Sequence, residues 1–318
     1  MNALYHFVGH FSNSRAFIQG RLFLVKAPCH SNYFTNELHH GHSLYTMPTH
    51  QVKGAILHYE TFGSGPLLLL IPGADGRGTV FHDVAKYLAE HFMVVCWDRR
   101  GFSKSLLVGA QDFPNRLSTD ADDAAALIKH LSNRPSFVFG TSSGAVVATR
   151  LLTRHPESVS TVIAHEPPSF SVLPKEHQAQ TTDLIDHIYM LYRENGVAAA
   201  MEVFSGGLSE GEDGAMMRHC MDTMRGDEIR ANSMYWFEFE LRQYTSAPVN
   251  LNILQSESTK YIPAAGTASG DAPGVGPIAV IAQTIGKEIV RLPGGHVSYM
   301  TDPEAYAKAL WEVLRERI

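Results

Sequence analysis

A serine between two glycines is the part of this 318-residue chain best suited to chemistry. Gly140-Thr141-Ser142-Ser143-Gly144 has the pattern G-x-S-x-G, between an apolar run, Ser136 to Phe139, and a helical pattern from Ala145 to Leu152. This context predicts a sharp strand-to-helix turn that exposes the serine at a strand end. Ser142 is therefore the candidate nucleophile, at a helix N-terminus that favours negative charge. The context disfavours the alternative, a glycine-containing turn with chance serines.

A serine hydroxyl attacks a carbonyl only when a base removes its proton, and that base needs an acid to orient it. His296 follows the last predicted strand on the glycine loop Pro293-Gly294-Gly295 and is the expected base. His165 is a rival that precedes the helical region beside a predicted strand end, and for it a structural role is favoured.

Two carboxylates compete for the role of the acid. Glu166 follows the strand predicted after the helix of the serine, and Glu257 follows a strand predicted over Asn250–Leu254. Either position can reach the histidine in a parallel sheet, so the residues alone leave the choice open. Asp98 also ends a strand, but it precedes the serine, and its loop is interpreted as structural.

Acyl transfer also needs donors for the negative charge that develops on the carbonyl oxygen. The N–H of Ser143 supplies one, and the loop Pro72-Gly73-Ala74 can direct a second from Ala74. The chain has no phosphate-binding loop, dinucleotide-binding glycine pattern or zinc-type spacing, so no cofactor and no metal are expected.

The elements that must position these residues alternate regularly from residue 53. Strands are predicted over 53–61, 67–71, 92–97, 136–139, 158–164, 250–254 and 288–292. Helices are predicted over 80–91, 117–131 and 303–315, and a loop over 263–276. Apolar strands separated by helices indicate an α/β fold with a mostly parallel central sheet covered on both faces.

Residues 167–247 have helical periodicity and predict a helical cap inserted between the two parts of a core, 47–166 and 248–318. Methionine and aromatic residues are frequent in this insertion and suit a pocket for a bulky apolar substrate. Met190, Tyr235 and Trp236 are the expected contacts there, with Gly73 on the opposite side. Residues 1–46 are expected to be a disordered leader.

Composition limits the partners. The net charge is −6, and no basic run marks a nucleic-acid surface. Three cysteines without disulfide or metal spacing indicate a reducing, cytoplasmic environment. Residues 1–36 lack acidic side chains, as in mitochondrial transit peptides, and Glu316-Arg317-Ile318 only loosely resembles a peroxisomal signal. The longest aliphatic run, Leu67–Ile71, is too short to span a membrane, and assembly as a homodimer stays open.

The chain resembles the α/β-hydrolase superfamily over residues 53–318, most clearly at the loop 97–105. The serine motif, Ala164-His165-Glu166-Pro167-Pro168 and Leu292-Pro293-Gly294-Gly295-His296 are similar to a subgroup that includes the zearalenone hydrolases. That resemblance implies Glu166 as the acid and Trp236 as a substrate contact. The subgroup has a glycine where Ala74 stands, and its cap differs in length.

The sequence thus predicts a cofactor-independent serine hydrolase acting on a small apolar ester or lactone. A C–C bond hydrolase or thioesterase using the same residues is the alternative within enzymes. A ligand receptor that keeps the catalytic residues is the alternative of another class. Haloalkane dehalogenases and epoxide hydrolases are disfavoured because those resemblances need an aspartate at position 142.

Overall fold

The computed structural model describes residues 48–206, 212–270 and 272–318, so the expected leader, 1–46, lies outside the described residues. The strands are β1 Thr49–Val52, β2 Ala55–Phe62, β3 Leu67–Ile71, β4 Met93–Trp97, β5 Leu106–Leu107, β6 Ser136–Thr141, β7 Val159–His165, β8 Tyr261–Gly266 and β9 Val290–Leu292. The helices are α1 His82–Leu88, α2 Arg116–Leu131, α3 Ser143–Arg154, α4 Lys175–Asn195, α5 Val197–Gly206, α6 Glu212–Cys220, α7 Asp227–Phe239, α8 Leu241–Ser246, α9 Leu251–Ser256, α10 Val275–Ile285, α11 Ser298–Thr301 and α12 Pro303–Leu314.

The strands form one sheet in the order β1-β2-β4-β3-β6-β7-β8-β9, with β5 paired to β2. Pairing is parallel from β4 through β9 and antiparallel around β2. The predicted fold class, a mostly parallel central sheet flanked by helices, is confirmed.

Two apolar clusters cover the two faces of the sheet. Leu68 and Leu70 of β3 belong to one cluster, and Leu67, Leu69 and Ile71 belong to the other. Successive side chains of a strand point to opposite faces, so an uninterrupted Leu-Leu-Leu-Leu-Ile run fits a strand buried on both sides. The continuous hydrophobicity of β3 therefore reflects its central place in the sheet.

The strand predicted over Asn250–Leu254 is wrong, because these residues begin helix α9. The Asn250 side chain accepts a hydrogen bond from Ile253 N at 3.1 Å and caps the helix. The next strand is β8, whose last four residues lie in the segment 263–276 predicted as a loop. Its sequence, Tyr-Ile-Pro-Ala-Ala-Gly, is poor in β-branched residues and contains a proline, which sequence patterns count against an interior strand.

Helices α4 to α8 lie between β7 and α9, in the range for which helical periodicity is expected. This stretch is called the β7–β8 segment below and comprises the described residues of 167–247. In the part of the chain that the structure describes, no helix is both long enough and apolar enough to cross a membrane.

The register of the sheet brings five strand ends to one edge. Ile71 pairs with Gly140, Thr141 with His165, His165 with Ala264, and Gly266 with Leu292. In open parallel sheets the carboxyl ends of the strands form the crevice in which ligands bind. The loops after β3, β6, β7, β8 and β9 therefore meet at this edge.

The close packing of α3 on β3 generates a stability prediction. A Cβ atom on Gly144 would lie 2.1 Å from the Ile71 carbonyl oxygen and 2.6 Å from the Pro72 carbonyl oxygen, and both oxygens belong to the backbone. Gly144→Ala is expected to lower the free energy of unfolding by about 1 to 3 kcal/mol or more, measured by urea denaturation. Gly206→Ala is the control, because a Cβ there meets nothing within 4 Å. Equal stability of the two variants would contradict this packing.

Candidate active site

Ser142 stands at the turn between β6 and α3 in a strained backbone conformation. Its φ is 54° and its ψ is −126°, which is rare for a residue with a side chain. Its N–H donates to the His165 carbonyl at 2.9 Å, and its own carbonyl accepts from Ala145 N at 2.9 Å. A Cβ on Gly140 would lie 2.4 Å from the Gly144 carbonyl oxygen, so glycine is needed before the serine. The turn predicted from the G-x-S-x-G pattern has the expected geometry.

Glu166 follows β7 and is fully buried. Its φ is also positive, at 49°. One carboxylate oxygen accepts a hydrogen bond from Gly266 N at 2.7 Å, at the end of β8. The other lies 2.6 Å from His296 Nδ1. The carboxylate therefore joins the ends of two strands to the loop of the histidine.

The charge of Glu166 is maintained by its partners. Burial raises the pKa of the Glu166 carboxyl. The hydrogen bond from His296 and the two nearby imidazoles lower it by a larger amount, so that this pKa lies well below its usual value. The carboxyl is thus ionised at neutral pH. An ionised acceptor at Nδ1 keeps the proton of His296 on that nitrogen and leaves Nε2 free to accept a proton.

His296 lies on the loop after β9 and is 3 % exposed. Its backbone N–H donates to Asp213 Oδ2 at 2.6 Å, and Val297 N lies 3.4 Å from Asp213 Oδ1. Gly295 passes so close to the same carboxylate that a Cβ there would lie 1.8 Å from Asp213 Oδ2. Asp213 belongs to α6 of the β7–β8 segment, and sequence reasoning missed it because nothing in its surroundings marks a contact 83 residues away.

Ser142 and His296 open onto one cavity of about 350 Å³. Its lining is mainly apolar and comes from the β7–β8 segment and the start of α10. The lining includes Phe170, Leu173, Leu184, Ile185, Ile188, Val203, Phe204, Trp236, Leu241 and Pro277. In the described chain no hydrogen bond joins the Ser142 hydroxyl to His296, and such bonds often tighten only when substrate binds.

The loop after β3 passes directly beside the serine. A Cβ on Gly73 would lie 3.1 Å from Ser142 Cβ, so only glycine allows this approach without displacement. The next residue, Ala74, is buried. The N–H groups of Ala74 and Ser143 make no hydrogen bond to another group of the described chain. Two free N–H groups near the serine can receive the negative charge of a tetrahedral intermediate.

Comparison with known proteins decides the family. A family model described as "alpha/beta hydrolase fold" matches residues 66–246. The chain belongs to the α/β-hydrolase family. The hydrolase is 32 % identical over 272 residues to an uncharacterized hydrolase of Bacillus subtilis, covering 84 % of this chain and 96 % of that protein.

One further sequence relative and one solved structure are also similar to this chain. The hydrolase is 25 % identical over 277 residues to the zearalenone hydrolase of Bionectria ochroleuca, covering 84 % of this chain and 96 % of that enzyme. Its structure is similar to that of a thermophilic esterase from Thermogutta terrifontis, with a TM-score of 0.64, 21 % identity, and coverage of 83 % of this chain and 94 % of the esterase.

The structure separates the other predicted residues of the hydrolase. Trp236 lines the cavity, and its Nε1 donates to Ser143 Oγ at 3.4 Å. Met190 is 49 % exposed on α4, and Tyr235 packs against Arg116 and Phe102, so neither lines the cavity. Their neighbours on the same helices face it instead.

Glu257, the alternative acid, ends α9 and pairs with Lys260 at 3.1 Å. Glu257 was a candidate because it follows the strand predicted over Asn250–Leu254, and these residues form α9 instead. Glu166, by contrast, contacts His296 directly. The geometry therefore brings together Ser142, Glu166 and His296 and leaves Glu257 at the surface of α9.

His165, Glu166 and His296 offer ligand atoms within 4.8 Å of one another, a spacing that could hold a metal ion. A cation between them would compete with the proton that joins His296 Nδ1 to Glu166. With the proton kept between His296 Nδ1 and Glu166, His296 Nε2 is free to accept a proton.

His165 generates a prediction about pH. Burial lowers the pKa of His165 to about 4, from 6.5. In the unfolded chain His165 therefore binds a proton below about pH 6.5, whereas in the folded protein it does so only below about pH 4. The free energy of unfolding consequently decreases as the pH is lowered from 6.5 to 4. In His165→Gln, the decrease in the free energy of unfolding between pH 6.5 and 4 should be smaller than in the wild type by on the order of 3 kcal/mol, measured by urea denaturation.

His187→Gln provides the comparison for this prediction, because His187 is exposed on α4. It should keep the full acid dependence of the wild type. A His165→Gln protein whose stability falls as steeply as that of the wild type between pH 6.5 and 4 would contradict a neutral buried imidazole.

Proposed function

We propose that the hydrolase cleaves a carboxylic ester or lactone with Ser142, His296 and Glu166, and that a zearalenone-type macrolactone is its candidate substrate. The observation that carries this proposal is the 2.6 Å contact between Glu166 and His296 Nδ1 at the end of an apolar cavity that Ser142 also lines. This combination is the minimum that a serine hydrolase needs: a nucleophile, an oriented base and a place for substrate.

In the first step Ser142 Oγ attacks the substrate carbonyl carbon while His296 Nε2 takes the hydroxyl proton. The carbonyl π pair moves onto oxygen, where the N–H groups of Ala74 and Ser143 receive it. Glu166 stabilises the imidazolium that forms, without taking its proton. Collapse of the intermediate breaks the bond to the leaving alkoxide, which receives the proton from His296.

In the second step water replaces the alcohol. His296 removes a proton from water, the hydroxide attacks the acyl-enzyme, and the carbon–oxygen bond to Ser142 breaks with return of the proton to Oγ. For a lactone, the leaving alcohol and the acyl group belong to one molecule. The product is then a single ring-opened hydroxy acid, which distinguishes a lactonase by mass.

The cavity supports an apolar substrate. Aromatic and aliphatic side chains form its walls, and Trp236 lies beside the turn that carries Ser142. Polar groups lie at the catalytic end, and the exposed first half of α4 supplies His177 and Gln180. Cavities of a few hundred Å³ with few polar groups suit drug-sized ligands. The similarity to the Bionectria ochroleuca enzyme, whose name gives zearalenone as its substrate, supports the macrolactone.

The decisive experiment compares zearalenone with a short panel of p-nitrophenyl esters, with the product mass recorded. Ser142→Ala should lower kcat by about 1,000-fold or more on every substrate that the wild type turns over. Ser160→Ala is the matched control, because Ser160 lies on β7 away from the cavity. Ester cleavage without ring opening removes the macrolactone, and full turnover by Ser142→Ala removes the serine mechanism.

The acid is tested by a pair of amide substitutions. Glu166→Gln should lower kcat by about 100- to 10,000-fold, because an amide NH₂ facing Nδ1 forces the wrong tautomer of His296. Glu257→Gln should retain the activity of the wild type, since Glu257 pairs with Lys260. Steady-state kinetics on the best ester measures both variants, and the reverse pattern would assign the acid to Glu257.

A further inference from the structure

A buried arginine, Arg99, contacts the loop after β3 and does not line the cavity. Arg99 is fully buried, and its Nη2 donates to the Gly73 carbonyl oxygen at 2.8 Å. The same oxygen accepts from Gly76 N at 3.0 Å. The carbonyl of Gly73 is therefore held by two donors, one of them charged.

The peptide between Gly73 and Ala74 transmits this contact to the site. A trans peptide is planar, and its C=O and N–H point in opposite directions. Fixing the Gly73 carbonyl therefore fixes the direction of the Ala74 N–H. A positive charge at the carbonyl also polarises the amide and strengthens its N–H as a donor.

Arg99 itself is held by groups from distant parts of the chain. Glu240 accepts from Nη1 at 2.8 Å and from Nη2 at 2.7 Å, and Asp120 accepts from Nη1 at 2.8 Å. Arg116 contacts both carboxylates at 3.1 Å. Two arginines and two carboxylates thus balance one another within a buried cluster. Glu240 belongs to the β7–β8 segment, so this segment is tied to the loop after β3.

We infer that Arg99 is a positioning residue for the hydrolytic step: held by Glu240, it orients the Ala74 N–H toward the oxyanion. This inference rests on the proposed serine mechanism. It assigns a role in rate to the loop that follows β4, for which the residues alone indicate only a structural role. The expected effect is on the transition state, where the negative charge is largest, and not on ground-state binding.

Arg100 offers a matched control. It is also buried and forms a bidentate pair with Asp123, with both distances 2.6 Å. Its remaining contacts go to the Lys53 carbonyl and Gln111, away from the loop after β3. Arg100→Lys therefore loses a comparable buried fork from the same loop without touching Gly73.

The test measures kcat, KM and the inhibition constant of a trifluoromethyl ketone, which forms a tetrahedral oxyanion on serine. Arg99→Lys keeps the charge but loses the fork, and Arg99→Met/Glu240→Gln removes one charge of each sign so that the cluster stays balanced. The fraction of active enzyme is measured from the burst of p-nitrophenol that accompanies acylation of Ser142, and each rate is divided by this fraction. Both variants should lose about 10- to 100-fold in kcat and a similar factor in ketone affinity, with KM changed less than about threefold.

Wild-type kcat and ketone affinity in either folded variant would overturn the inference. So would a loss of kcat with unchanged ketone affinity, or an equal loss in Arg100→Lys, because each would show that the oxyanion donor is not the group affected. Failure of the serine mechanism itself is visible separately: Ser142→Ala, measured in the same assay, would then retain turnover whatever the Arg99 variants do.

Discussion

A carboxylate without contact with solvent, Glu166, is the constraint on which the candidate site depends. A buried charge is costly unless it is paired and hydrogen-bonded. Here the end of β8 provides Gly266 N–H and the loop after β9 provides His296. A Cβ on Gly274, before α10, would lie 2.2 Å from the Glu166 carbonyl oxygen, so the backbone is closely packed as well. Satisfying this one charge fixes the imidazole of His296 through its Nδ1 atom.

The sheet makes that arrangement possible because parallel strands end at a common edge. The proposed nucleophile, acid and base come from three different strand ends, and the loop after β3 adds the N–H of Ala74 as the proposed oxyanion donor. Each of these positions follows a short apolar strand, and this is why the sequence predicts them as candidates. Local features, glycines around Ser142 and the glycine loop before His296, mark turns whose geometry depends on few residues.

Prediction from sequence failed where the deciding contacts were distant or the local signal was ambiguous. Asn250–Leu254 alternates polar and apolar residues, but a side-chain cap makes it a helix. β8 was not predicted because Pro263 and the small residues after it are unusual in an interior strand. Asp213 and Arg99 act through partners 83 and 26 residues away, and no pattern in one sequence encodes such pairings. Met190 and Tyr235 lie in the predicted helical cap, but helical periodicity alone does not show which residues face the cavity.

The β7–β8 segment contributes more than the walls of a cavity. Asp213 holds the backbone of the histidine loop, and the Trp236 indole contacts Ser143 Oγ. Glu240 holds Arg99, which in turn donates to the Gly73 carbonyl in the loop after β3. Because catalysis depends on the placement of groups to within a fraction of an ångström, a change in this segment that alters the fit of substrate also alters the chemistry. Under the proposed mechanism we therefore expect selectivity and rate to change together when these helices are altered.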